Sequence, residues 1–265
     1  MKNINTLKTL MITAILLAAG GSAMAQATLD HNKALAGNSL PGDAPGYPIT
    51  LSQPGHYVLK SNLQVPAGVH GIEITGKNVT LDLNGFSIMG TGDCSRNDGT
   101  KVVTCSGTVG SSIGVRVVAD AATVRNGTVS GFDYGIDVVY LGNGTQGGVV
   151  LADLLLSRNV RAGLSSNAAK GPYLRASGLI ATLNGENGLN VFNGLIERSQ
   201  ANNNGSIGFS LNSQVVSLLD SFAYGNRIAG VDKGVLRGVN LQFNGVNRTG
   251  SIQSMGGNMD GGTPF

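Results

Sequence analysis

Asp133, Arg161, Glu186 and Ser206 each stand two residues before a glycine, at Gly135, Gly163, Gly188 and Gly208. If those glycines mark the same point of successive structural repeats, the four side chains stack about 4.8 Å apart. Asp133 and Glu186 are then about 10 Å apart with Arg161 between them, at or slightly beyond the carboxyl separation of enzymes that cleave a glycosidic bond with inversion. An Arg in that place lowers both carboxyl pKa values, which works against a general acid. Asp133, Arg161 and Glu186 therefore read in two ways: as a catalytic set, or as a charge ladder on one corner of a solenoid.

A second series follows the same glycines. The residue two after each Gly runs Glu73, Arg116, Asp137, Ser165, Asn190, Ser210 and Asp232. Its first three charges alternate in sign, as side chains paired across neighbouring strands prefer. Its later members are mostly neutral and hydrogen-bonding, suited to hydroxyl-rich ligands or to a solvated face. Asp137 and Asn190 are the candidate ligand-binding polar residues. Tyr134 and Tyr173 are the candidate aromatic platforms, with Tyr140 and Phe192 as further ones. His31, His56 and His70 approach no Ser or Cys in an evident triad and read as structural residues near the N-terminus. Cys94 and Cys105, the two cysteines, flank a segment rich in Asp, Asn, Ser and Gly and read as a local disulfide pinning a loop. Two Cys without a nearby His make a poor metal site, and the one dense acidic segment, 92–98, offers no more than weak Ca²⁺ ligation. No metal and no cofactor are expected.

The elements that would position these residues are short strands. The unit Gly–aliphatic–outward residue–aliphatic recurs from Gly71, Gly114, Gly135, Gly163, Gly188, Gly208 and Gly230, at spacings of 43, 21, 28, 25, 20 and 22 residues. The 43-residue interval holds two rungs, or one rung and an insertion around the cysteines. Asn stands four residues before the Gly in four successive repeats, at Asn159, Asn184, Asn204 and Asn226. Asn tolerates the left-handed conformation of a tight corner, and stacked Asn side chains form hydrogen-bonded ladders. Between the Gly units lie further apolar runs with period-2 alternation. Repeats of this length with two or three strands each, and no amphipathic helix, predict an all-β, single-stranded right-handed parallel β-helix of about eight coils. The expected layout is a signal peptide over 1–25, an N-terminal cap or linker over 26–48, the solenoid over 49–245 with a Cys-bridged insertion at 91–108, and a C-terminal tail or cap over 246–265.

The stretch Pro54–Leu59 (PGHYVL), then Gly71–Ile74 (GIEI), then Asn78–Ile88 (NVTLDLNGFSI) resembles the opening coils of bacterial right-handed β-helix proteins of the pectate-lyase-like superfamily. The resemblance covers residues 49–90 and, beyond them, only the style of the repeat. It implies a secreted protein whose long strand face and flanking loops handle polysaccharide. It does not bring a catalytic set with it. Asp133 resembles the first Asp of the Asp-Asp pair of polygalacturonase-like members, but Tyr134 stands where the second would be, and Asn-Thr-Asp is missing. Calcium-dependent lyases need clustered carboxylates, and the chain has 15 acidic residues in all.

Composition narrows the remaining classes. The chain has 41 Gly in 265 residues, no Trp and 12% charged residues, a profile of many short punctuated strands. Lys2 and Lys8, the apolar run 10–19 and Ala23-Met24-Ala25 read as a secretory signal cleaved before Gln26. Losing residues 1–25 takes two Lys and no acid, so the net charge falls from +3 to +1. That is no footprint for nucleic acid. No stretch reaches the roughly 18 apolar residues of a membrane span. The expected protein is periplasmic or secreted and binds polysaccharide or a cell-surface glycan without a complete catalytic set. Two alternatives stand beside it: a polysaccharide lyase, epimerase or hydrolase using Asp133, Arg161 and Glu186, and an adhesion module that recognises protein. Oligomeric state is not legible.

Overall fold

The computed structural model describes residues 26–139, 148–166, 173–212 and 215–265. The signal-peptide segment and Tyr140 lie outside these residues. The chain winds as a parallel β-helix with three strand faces per coil. Face 1 stacks Ile49–Leu51, Ile72–Ile74, Ile113–Val117, Tyr134–Val138, Ala162–Ser166, Leu189–Val191 and Ile207–Leu211, then the first part of Ala229–Arg237. Face 2 runs from Gln26–Leu29 and Gly55–Leu59 through Leu174–Ser177 and Gly194–Glu197 to the last part of Ala229–Arg237. Face 3 includes Leu63–Gln64, Ser87–Met89, Ile180–Thr182, Gln200–Asn202, Phe222–Tyr224 and Asn240–Gln242.

Each strand is short because each corner must turn, and alternation decides what it buries. On face 1 the register aligns Ile49, Ile72, Val115, Ile136, Leu164, Leu189, Phe209 and Val231 in one inward column. All eight are fully buried. Each contributes roughly 1.5–3 kcal/mol relative to exposure. Columns led by Leu81 and Val124 on face 2, and by Ile88 and Val129 on face 3, complete the same core.

The repeat glycines hold their place through contact rather than backbone angle. A Cβ on Gly114 would meet the Gly135 carbonyl oxygen at 2.6 Å, and one on Gly208 would meet Asn226 Nδ2 at 2.6 Å and Gly230 O at 2.7 Å. The 43-residue interval is one rung plus an insertion, because Ile72 pairs directly with Val115. The insertion is an antiparallel hairpin, Asp93–Arg96 with Val103–Ser106, and Cys94 faces Cys105 across it in a disulfide.

The ends are closed differently. Gln26–Leu29 pairs with Gly55–Leu59, and the helix His31–Ala36, capped by Asp30 and by Gly37 at φ 72°, sets Ala34 into the core. At the other end Val246–Ser254 continues the parallel ladder past residue 245. Met259–Asp260 then pairs antiparallel with Thr263–Pro264, which turns the last edge back on itself.

Candidate functional site

The corner before face 1 stacks Asp133, Arg161, Glu186 and Ser206 through main-chain bonds. Arg161 N–H donates to Asp133 O (2.9 Å), Glu186 N–H to Arg161 O (2.8 Å) and Ser206 N–H to Glu186 O (2.7 Å). Their side chains do not share one environment. Asp133 is buried, its side chain 6% exposed. Arg161 donates to it twice, Nε to Oδ1 at 3.0 Å and Nη2 to Oδ2 at 2.8 Å. Those bonds raise the Arg161 pKa further. The guanidinium also lies over the Tyr134 ring at 4.8 Å. Both Asp133 oxygens are therefore occupied, and Glu186 stands exposed one coil beyond Arg161. Nothing here pairs a nucleophile with a base, and Glu186, the acid of this column outside an ion pair, is two coils from Asp133.

The outward column of face 1 is different. Register places Glu73, Arg116, Asp137, Ser165, Asn190, Ser210 and Asp232 in line. Arg116 pairs with Glu73. Asp137 is largely buried, and burial pushes its carboxyl pKa up against the opposing pull of the Ser165 hydroxyl and the Arg116 charge. Its Oδ1 is buried without a hydrogen-bond partner. Burial likewise raises Asp232, whose Oδ1 accepts from Leu211 N–H at 2.7 Å. Asn190 accepts a hydrogen bond from Asn212. His70 approaches this column from its upper end. Its Nδ1 accepts from Ile113 N–H at 3.1 Å, and burial followed by Arg116 pushes its pKa down. The ring is thus a neutral donor at Nε2 over most of the physiological range.

The structure brings Tyr134, Asp137 and Asn190 onto one face and sets Tyr134 between the Asp133–Arg161 pair and Asp137, with its hydroxyl pKa raised by burial. Tyr173 is not on that face. It is 52% exposed and leads into face 2, its carbonyl accepting from Val149 N–H at 3.0 Å. His70 belongs beside Arg116 and Asp137. The signal for it was the direct alignment of GIEI at Gly71 with GVRV at Gly114, masked by the hairpin between them. On face 2 several charges are paired: Arg125 Nε to Asp82 Oδ2 at 3.0 Å, and Glu197 with Arg175 and Arg198. Among the described residues no group of three His, Cys, Asp or Glu side chains could hold a metal, and no helix is long and apolar enough to cross a membrane.

Comparison with known proteins agrees with the architecture. Among solved structures the chain is similar to the pectate lyase Pel9A, with a TM-score of 0.52 and 15% identity over 89% of this chain and 68% of that one. It also matches the Dettilon tailspike protein, with a TM-score of 0.43 and 15% identity over 74% of this chain and 46% of that one. Neither a protein-family model nor a curated protein sequence matches the chain. At such identity the likeness to the lyase speaks to the fold alone: the chain is a parallel β-helix protein. Chemistry must be argued from the chain's own residues.

Proposed function

We propose that this is an exported protein that binds an extended polysaccharide along face 1 and does not cleave it. The observation that carries the reading is the column of face 1 that sets the Asp137 carboxyl and the Asn190 amide in register on one face beside Tyr134. Asn190, half-buried, stands lower in the same column at the strand spacing of about 4.8 Å per coil, with the buried Ser165 and Ser210 in line with it. Tyr134 supplies an apolar ring at the upper end, and Tyr173 stands at the far edge of the same coils. Cleavage by Asp133, Arg161 and Glu186 is disfavoured because the bidentate Arg161 holds Asp133 as a structural ion pair. Export with cleavage before Gln26 fits a chain with a disulfide, and mass spectrometry of the secreted protein reads that end directly.

The test is a polysaccharide array followed by titration of the best ligand. Asp137→Asn combined with Asn190→Ala is expected to weaken binding at least tenfold, with no new reducing ends and no unsaturated products from the wild type. Binding to no polysaccharide overturns the reading. So does product formation that Asp133→Asn with Glu186→Gln abolishes, which would restore the enzyme.

A further inference from the structure

The hairpin does not project into solvent. It lies lengthwise over the corner between faces 3 and 1 and crosses several coils. Cys94 Sγ is 3.6 Å from the Asn159 carbonyl oxygen, Arg158 pairs with Asp93 at 2.6 Å, and Arg96 Nη2 donates to Gly225 O at 3.3 Å. Lys101 Nζ donates to Phe243 O. Small residues beneath it permit this approach, since a Cβ on Gly185 would meet Cys105 Sγ at 2.7 Å. Where its tip reaches the lower coils it encloses a cleft of about 430 Å³ with Arg96, Asp98, Lys101, Asn203, Tyr224 and Phe243 in its walls.

Three properties of this cleft point the same way. First, its aromatic groups form a continuous surface: Phe222 stacks on Tyr224 at 6.1 Å, and Tyr224 meets Phe243 edge-on at 5.4 Å. Yet Phe243 is 68% exposed and Tyr224 39%. Aromatic rings left in water beside a cleft are platforms for the C–H face of a ring-shaped ligand. Second, the Arg96 side chain is only 12% exposed and is held by Gly225 O, so its guanidinium is preset at the cleft. Third, the walls carry a net positive charge. The one acid, Asp98, pairs with Arg96 from a side chain 91% exposed, where screening makes the bond easy to exchange.

We infer that this cleft is a second, separate binding site, for an acidic sugar: a pyranose unit bearing a carboxylate. The carboxylate displaces Asp98 and takes the Arg96 guanidinium, with Lys101 beside it. The apolar face of the sugar lies on Tyr224 and Phe243. The volume suits one or two sugar units. The site shares no residue with face 1, and both of its cations come from the disulfide-bridged hairpin. It is therefore complete only when the hairpin is docked.

The test compares two disaccharides that differ only in the carboxylate, cellobiouronic acid and cellobiose, titrated into the full chain by calorimetry with ring-proton NMR of the aromatic residues. Cellobiouronic acid is expected to bind at least tenfold more tightly and to shift the Tyr224 and Phe243 signals. Phe243→Ala and Lys101→Gln should each weaken it at least fivefold with an unchanged melting temperature. Asp137→Asn with Asn190→Ala, on face 1, should leave it unchanged, so that a failure of one site is read apart from a failure of the other. Equal affinity for the two sugars overturns the inference. So does a Phe243→Ala variant that binds normally while its sedimentation changes from an oligomer to a monomer, which would make the aromatic surface a contact between copies.

Discussion

The corner between faces 3 and 1 is built in two ways along the same solenoid. In the lower coils it is a tight turn repeated with little change: a residue at positive φ, at Arg158, Leu183, Asn203, Gly225 and Phe243, followed by a buried Asn at 159, 184, 204, 226 and 244. Each Asn Nδ2 donates to the Oδ1 of the next, at 3.0, 3.0, 2.9 and 2.8 Å, and each Oδ1 also accepts the main-chain N–H of the Asn above. In the upper coils the corner has no Asn. It opens into the loop 65–70 and the hairpin, and then closes on Phe132, fully buried, whose N–H donates to Asn159 Oδ1 at 3.1 Å. A polar ladder tolerates burial only where every member has a neighbour above and below. An apolar residue ends it without leaving a side-chain polar atom unsatisfied. The irregular corner has room for an insertion, and the regular one offers the flat track on which that insertion lies.

Breaking the track should have the largest effect. Asn204→Ala strands the N–H and Nδ2 groups of Asn184 and the Ala181 carbonyl, which Asn204 now serves at 3.1 Å. The expected loss is about 3 kcal/mol in urea unfolding, and a loss below about 1 kcal/mol would make the ladder incidental. Next comes the strap. Replacing Cys94 and Cys105 together by Ser opens a loop with a sequence separation of 11, for an expected cost of about 2.5 kcal/mol. Trypsin should then cut at Arg96 and Lys101 well before the solenoid unfolds, whereas cutting no faster than in the oxidised protein would show that docking alone holds the hairpin. Third, Gly208→Ala, whose new Cβ meets Asn226 and Gly230, should cost about 2 kcal/mol. Gly99→Ala at the hairpin tip meets only Asn97 at 3.4 Å and should cost under about 0.5 kcal/mol by the same thermal melt.

The effect on face 1 has a size that depends on pH. Burial raises the Asp137 pKa in the folded state above its unfolded value of 3.8. The native protein therefore binds this proton more readily than the unfolded chain, and the group's contribution to stability is lost as pH rises through the folded pKa. Asp137→Asn should accordingly be more stable than the wild type at pH 7, and the gain should vanish as pH falls below 3.8. His70, lowered by burial, works in the opposite sense, losing stability as pH falls through 6.5. It is present in both proteins and largely cancels from the difference. An Asn variant equal to the wild type at both pH values would mean that the carboxyl is well solvated, and the binding role given to it would lose its support.

Much of this was legible in the sequence where chemistry repeats at fixed spacing. The Asn residues four before each Gly, the inward aliphatics and the outward series Glu73 to Asp232 all follow from one register. The two Cys in a polar loop pointed to their bridge. Asn244 was not legible, because no repeat Gly follows it four residues on. The track of the hairpin was hidden for another reason. It rests on the main-chain oxygens of Asn159, Gly225 and Phe243, and a carbonyl has no residue type. Gly185, which its sulfur overlies, was the one available trace. The aromatic cleft joins Arg96 to Phe243 across well over a hundred residues, and no local pattern marks such a meeting. Arg116 faces Asp137 on the adjacent coil, but His70 joins them only through the alignment of Gly71 with Gly114, which the hairpin interrupts.

The amide ladder does not stop at Asn244. Asn244 Nδ2 donates to Asn247 Oδ1 at 2.9 Å, and Asn247 Nδ2 to Asp260 Oδ1 at 2.7 Å. In each buried amide one Nδ2–H points down the solenoid while the other bonds a main-chain carbonyl of the coil above, and the last downward donor meets a carboxylate, an ionised group that accepts and does not donate. The stacked amides therefore sum to a dipole along the axis, with its oxygen end at Phe132 and its N–H end at Asp260, in the manner of a helix holding an anion at its N-terminus. The main-chain partners of each amide and the acid at the end of the row all select the same direction. With them in place, none of the amides can flip without meeting its neighbour donor to donor.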